Sequence, residues 1–355
     1  MRGLYIHIPF CLAKCPYCDF YSVRYSRSLA EEYKGAVIRN LKKYSETFDT
    51  VYFGGGTPVL LAEEISDILK AVNTSENAEI TVEANPCVSD LKRLTVLKNS
   101  GVNRISFGVQ SLNDNELKFL GRRHTAKQAV AAINLAESVG FENISADLML
   151  GLQGQEKSSI ADSVEILSSL PISHISAYLL KIEEGTPFSE MSLDIPDDDE
   201  MSEIYLYTCE QLEKKEFMQY EISNFSKAGA ESRHNLKYWR CEEYLGIGAS
   251  AHSFYNGSRF CTERDINKFI SDLVQEIIVT DEKAGDFEEY SMLKLRLTEG
   301  LSFEECRKYG VEKAVIENRC RKIPDEYYCL DGKGVRLTKK GFLLSNAVIG
   351  RILGY

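Results

Sequence analysis

The sequence predicts an α/β fold, a partial (β/α)6 TIM-like barrel followed by a smaller, mainly helical C-terminal domain. Three observations carry this. Short β-rich runs recur six times in the first half of the chain, amphipathic helical stretches separate them, and the charge balance shifts near residue 285. The runs are LYIHI (4–8), TVYF (50–53), EITVEA (79–84), NRISFGV (103–109), NISADLML (143–150) and HISAYLL (174–180). Helical periodicity fills the gaps at Leu29–Tyr44, Glu63–Val72, Asp90–Lys98, Ala126–Val139 and Ser159–Leu170. NSGVNR and SVGFEN supply glycines where left-handed C-caps end helices. Strand–helix alternation with right-handed crossovers gives a parallel sheet. Six strands favour a partial barrel over a closed eight-stranded one.

The acidic IPDDDE (195–200) reads as a linker before a helix from Met201 to Glu216. Residues 1–225 are thus expected to form the barrel and 226–284 a connecting segment, leaving 285–355 as a small winged-helix-like domain. That last unit reads as helices at Glu288–Leu297, Phe303–Tyr309 and Glu312–Arg321, then a hairpin turning at DGKG within YYCLDGKGVRL.

Bulk properties exclude several classes. With 355 residues and 44% hydrophobic content, the chain can bury a sizeable core without disulfide staples. The net charge of −11 argues against a nucleic-acid binder. From Gly285 onward 13 Lys/Arg face 11 Asp/Glu, against a strongly acidic remainder, which sets that unit apart. The opening MRGLYIHIPF is too short an apolar stretch for a signal segment, and no apolar run suits a membrane span. The expected location is the reducing cytoplasm, with any membrane association peripheral and through partners.

The most informative string is YIHIPFCLAKCPYCDF, residues 5–20. Cys11, Cys15 and Cys18 are spaced C-x3-C-x2-C directly after the first strand, at the end where parallel α/β folds build their sites. Three thiolates on one loop suit three irons of a cubane, leaving the fourth open to chelate a small molecule. A structural zinc would need a fourth ligand, from His7 or a distant cysteine. The seven other cysteines are scattered singly and read as small hydrophobes.

Other blocks follow the later strands. FGGGTP (53–58) is a Gly-rich turn whose N–H groups can meet an anion, although tight structural turns look the same. Glu83, Gln110 and Asp147 place polar groups at or near strand ends, where ligand contact and helix capping compete as readings. Arg122 offers a planar donor fork.

The C-x3-C-x2-C loop resembles the radical S-adenosylmethionine (SAM) superfamily. YIHIPFC…CPYCDF is similar to the oxygen-independent coproporphyrinogen III oxidase-like family, above all to its heme chaperone branch, HemW. Further blocks carry the similarity: FGGGTP, VEANP (82–86), RISFGVQSLN (104–113), ADLMLGL (146–152), YEISNF (220–225) and HNLKYW (234–239). The resemblance implies a barrel of the radical SAM type with a [4Fe–4S] cluster on Cys11, Cys15 and Cys18. It also implies SAM contacts from Tyr5, Tyr17, Gly55, Gly56, Thr57, Glu83, Gln110, Arg122 and Asp147, and the capacity to cleave SAM reductively.

Within the family, two readings compete. A true coproporphyrinogen III oxidase carries a cysteine two residues after the third cluster cysteine, where this chain has Phe20, and a longer arm before the loop. HNLKYW matches the H-N-x-x-Y-W motif of the chaperone branch and makes His234 the expected heme ligand, with Tyr238 and Trp239 bordering the porphyrin. A histidine among aromatics also suits a purely structural role. His252, in GASAHSF, is a second possible ligand. The implied partners are heme, recipient hemoproteins including respiratory ones, a low-potential electron donor such as flavodoxin or ferredoxin, and a second copy in a homodimer.

Overall fold

Six parallel strands form the heart of the molecule: β1 (Arg2–Ile8), β2 (Phe48–Gly55), β3 (Thr74–Ala84), β4 (Arg104–Gln110), β5 (Asn143–Leu150) and β6 (His174–Leu179). The computed structural model describes residues 1–355. All six strands fall on the runs expected from the sequence. Between them lie α1 (Arg27–Leu41), α2 (Ala62–Leu69), α3 (Leu91–Asn99), α4 (Asp114–Phe119), α5 (Ala126–Ser138) and α6 (Lys157–Ser169). Gly101 and Gly140 take φ of 94° and 100° just after α3 and α5, the left-handed exit their sequence contexts require.

Period-two alternation explains the barrel. Leu4, Ile6 and Ile8 on β1, Val51 and Phe53 on β2, and Ile105 and Phe107 on β4 are buried in the main apolar core. Each such side chain contributes roughly 1.5–3 kcal/mol through burial. The alternate positions are polar: Tyr5 and His7, Thr50 and Tyr52, Thr81 and Glu83, Arg104 and Ser106, Ser145 and Asp147, His174 and Ser176. These meet one another across the barrel interior, as the Tyr52–Glu83, Ser106–Asp147 and Ser145–His174 hydrogen bonds show.

The sheet extends beyond the six expected strands. After α7 (Asp198–Lys214), β7 (Met218–Gln219) and β8 (Asn224–Ser226) add to β6. Residues 226–284, expected to connect two units, contain α8 (Arg233–Trp239) and four strands. These are β9 (Tyr244–Ile247), β10 (His252–Tyr255), β11 (Ser258–Thr262) and β12 (Ile277–Asp281), and α9 (Ile266–Ser271) intervenes. β9 runs parallel to β1, and β10 to β12 return antiparallel beside it, making a twelve-stranded sheet with β12 and β7 as its edges.

The remainder holds α10 (Phe287–Lys294), α11 (Phe303–Lys308), α12 (Lys313–Cys320), α13 (Lys339–Leu343) and α14 (Ser345–Leu353). With them goes a three-stranded sheet of β13 (Leu301–Ser302), β14 (Tyr328–Leu330) and β15 (Gly334–Leu337), with β15 central. Backbone pairing joins this unit to the barrel: Ile222 N–H donates to Arg296 O and Thr298 N–H to Tyr220 O, each at 3.0 Å. No helix is long and apolar enough to cross a membrane.

Candidate functional site

The cysteine loop leaves the C-terminal end of β1 and is closed at its neck. Val23 N–H donates to Pro9 O and Tyr25 N–H to Cys11 O, while Cys18 N–H folds back on Cys15 O at 3.1 Å. The Gly-rich turn after β2 is stitched to the same neck, with Gly56 N–H on Ile8 O (2.9 Å) and Thr57 N–H on Phe10 O (2.8 Å). A Cβ at Gly56 would lie 2.7 Å from Phe10 O, so only glycine permits this approach. It brings the Thr57 hydroxyl within 3.5 Å of Cys11 Sγ.

All three thiols are partly exposed. Burial raises the Cys18 thiol above its ordinary pKa. Arg122, in the loop after α4, reaches the opposite side. Its Nη1 lies 3.8 Å from Cys15 Sγ and 3.4 Å from the Tyr17 hydroxyl, and its Nη2 donates to Gly108 O.

Glu83 stands beneath the Gly-rich turn. One carboxylate oxygen accepts from Tyr52 Oη at 2.8 Å and the other from Gly55 N–H at 3.0 Å. Burial pushes its pKa up to about 7, against the lowering effect of the Tyr52 bond. Asp147 rises to about 6, chiefly by burial, with Ser176 and Ser106 bonding to it. Tyr5 donates to His7 Nδ1 at 2.9 Å, and His7 Nε2 donates to Tyr21 O at 3.0 Å. Both His7 nitrogens are therefore committed, and burial lowers its pKa to about 4. His7 is a neutral strut between β1 and the cysteine loop, unavailable as the fourth ligand of a zinc.

Gln110 ends β4 at φ 70°, a conformation costly for a side-chain-bearing residue. Its buried Oε1 has no partner, nor has Arg122 Nε. Three thiols on one loop, with orphaned polar atoms and two buried carboxyls at the same end of the barrel, fit an iron–sulfur cluster with a zwitterionic cosubstrate beside it.

His234 lies elsewhere. Helix α8 crosses the N-terminal ends of β1 and β2, where a Cβ on Gly3 would meet His234 and Lys237 within about 3 Å. The His234 ring is fully buried, with Nδ1 on Thr50 Oγ1 and Nε2 on Tyr238 Oη, each at 2.8 Å, and it stacks on Tyr52. Burial holds its pKa down to about 3. The expectation that His234 ligates heme therefore does not fit this structure, because neither nitrogen is free and no face is open. Tyr238 packs with it on Tyr244, and Trp239 faces the guanidinium of Arg296 instead of a porphyrin-sized opening.

Comparison with known proteins agrees with this geometry. The model of the Radical SAM superfamily matches residues 5–167. The heme chaperone HemW of Bacillus subtilis is 35% identical, with all of both chains covered. HemW of Lactococcus lactis is 34% identical over 99% of this chain and 97% of its own. The chain belongs to the HemW family of radical SAM proteins. Membership implies a [4Fe–4S] cluster and SAM. Among solved structures, coproporphyrinogen III oxidase (HemN) of Escherichia coli shares this chain's fold at TM-score 0.82, with 20% identity, over 99% of this chain and 90% of that one.

Sequence reasoning missed Tyr52, Ser106 and Ser176, which orient the two carboxyls, and the buried Arg104, whose charge lowers the pKa of both. The signal was the alternation of polar residues inside otherwise apolar strands.

Proposed function

We propose that this chain is a heme chaperone that binds heme and delivers it to hemoproteins, carrying a SAM-binding [4Fe–4S] cluster. The observation that carries the reading is the 35% identity to a named heme chaperone over the full length of both chains. Cys11, Cys15 and Cys18 would hold the cluster. Glu83 and the Gly55–Gly56–Thr57 turn would receive the amino group and carboxylate of SAM, Arg122, Gln110 and Asp147 its other polar edges, and Tyr5 and Tyr17 its flanks. When bound, the pair supplies one-electron chemistry at the sulfonium. The protein's part is to orient SAM and exclude water. A flavodoxin- or ferredoxin-type donor would reduce the cluster, the assembly would be a homodimer, and respiratory hemoproteins would be among the recipients.

The test is a hemin titration of the anaerobically cluster-reconstituted protein. Saturable, near-stoichiometric binding with a sharp Soret band, followed by transfer to an apo-hemoprotein, is the expected result. Hemin that binds without saturation overturns the reading. Metal analysis of the same sample should find iron and inorganic sulfide; zinc without sulfide would refute the cluster.

A further inference from the structure

Seven cysteines lie outside the cysteine loop. Cys209, Cys306 and Cys320 are buried in the apolar core, as small hydrophobes would be, and Cys329 is exposed on the C-terminal sheet. Cys87 is placed differently. It follows the end of β3 by three residues and is partly exposed. Asn85 pins this turn: its side-chain oxygen accepts Cys87 N–H at 3.2 Å, and its carbonyl accepts Ser89 Oγ at 2.9 Å.

A cavity of about 20 Å³ opens between this turn and the cysteine loop, lined by Leu12, Cys15, Thr57, Cys87 and Arg122 among others. That is room for roughly one water, so its walls stand close together. Two of those walls touch cluster cysteines, Thr57 Oγ1 lying 3.5 Å from Cys11 Sγ and Arg122 Nη1 3.8 Å from Cys15 Sγ. Gln110 and Arg122 meet over Gly108, where a Cβ would lie 3.1 Å from Gln110 Nε2 and 3.3 Å from Arg122 Nη2. Gln110 is only 8% exposed and its Oε1 has no partner, nor has Arg122 Nε, so buried polar groups beside the cavity are left for a ligand.

Cys11, Cys15 and Cys18 leave one iron of a cubane open. Among the side chains lining the cavity, Cys87 is the one soft ligand besides Cys15. Burial raises its pKa, while Arg122 draws it back and Cys15 adds to the rise, so the thiol senses both groups. Iron binds the thiolate and displaces that proton. We propose that Cys87 is a fourth thiolate ligand, which caps the open iron when no SAM is bound and is displaced by SAM. In that exchange the Cys87–iron bond breaks and the SAM amino nitrogen and carboxylate oxygen bind in its place. The released thiolate takes a proton from solvent, and no electron moves. The capped state guards the cluster against loss of its fourth iron. This assignment rests on the cluster and SAM reading above.

The test is a ferricyanide titration, read by EPR, of full-length, anaerobically reconstituted wild type, Cys87→Ala and Cys329→Ala, each with and without SAM. Ferricyanide removes one electron, and an uncapped cluster then sheds its fourth iron as a ferrous ion, leaving a paramagnetic three-iron cluster. Without SAM, wild type and Cys329→Ala should resist, and Cys87→Ala should give a several-fold larger three-iron signal. SAM should protect all three. Cys87→Ala should also bind SAM several-fold more tightly, having no thiolate to displace. A SAM-free wild type that sheds its fourth iron completely, or as readily as Cys87→Ala, overturns the Cys87 assignment alone. A wild type that reconstitutes without iron and inorganic sulfide overturns the cluster reading and this assignment together.

Discussion

Glu83 shows how a single side chain couples fold to ligand. A carboxyl held near pKa 7 is half ionised at neutral pH, whereas the SAM ammonium needs the ionised form. SAM affinity should therefore rise from pH 6 to pH 8 and level off above. In Glu83→Gln affinity should be about tenfold weaker at pH 8 and nearly flat with pH, as equilibrium dialysis on reconstituted protein would show. His234 makes the opposite case, a group whose value is structural. Replacing it by Ala leaves Thr50 and Tyr238 unpaired around a cavity, a loss of about 3 kcal/mol. The sign with pH follows from its depressed pKa. Below the ordinary 6.5 the unfolded chain takes up a proton that the buried ring refuses until about 3. The stability its neutral form contributes is thus complete above pH 6.5 and fades as pH falls toward 3. Urea titrations should find the His234→Ala deficit largest near neutrality and shrinking in acid.

At the scale of elements, the long parallel strands and their helices were legible because a period of two and a period of 3.6 alternated over enough residues to separate them. β9 to β12 were not. They are four or five residues long, and every residue of β12 is exposed. IPDDDE has the acidic composition of a linker, yet Asp197 caps α7 in a capping box with Glu200, and the acids occupy the helix's first turn. Of the candidate site, the cysteine loop and Gly-rich turn were legible as local strings. The packing of His234 is not legible in its own string, because its partners Thr50 and Tyr52 lie on a strand far away in sequence. Helix α8 also hangs on such a long-range contact: buried Glu79 on β3 accepts the backbone N–H groups of Arg233 and His234 at 3.1 and 3.0 Å. Glu79→Ala orphans both amides at the helix N-terminus, a cost of about 2 kcal/mol. Hydrogen exchange should quicken at 233–239 while β1 to β6 stay protected; unchanged protection of α8 would refute this anchoring.

At the scale of the molecule, the question is whether residues 285–355 fold as a separate body. Their ion pairs to the rest, Arg240–Glu299, Arg259–Glu289 and Lys339–Glu213, lie in partly exposed positions. Such pairs contribute roughly 0–1 kcal/mol and are screened by salt. The backbone contacts are different in kind. Tyr220 and Ile222 pair with Thr298 and Arg296 around the antiparallel Glu221–Leu297 bridge, and Glu221 and Leu297 are both buried. Tyr220 continues inward through its hydroxyl to His174 Nε2, at 2.8 Å, so the junction is continuous with the barrel interior. Pulling the unit away would strip water-inaccessible backbone groups of their partners, a cost the surface charges cannot offset. Unfolding should accordingly be a single transition that high salt shifts only slightly. The only tryptophan, Trp239, lies at this junction under Arg296 and supplies a local probe. Its fluorescence and the far-UV circular dichroism should melt together. A fluorescence transition clearly below the dichroism midpoint would mean that the C-terminal unit undocks first and that the backbone bridge is not what holds it.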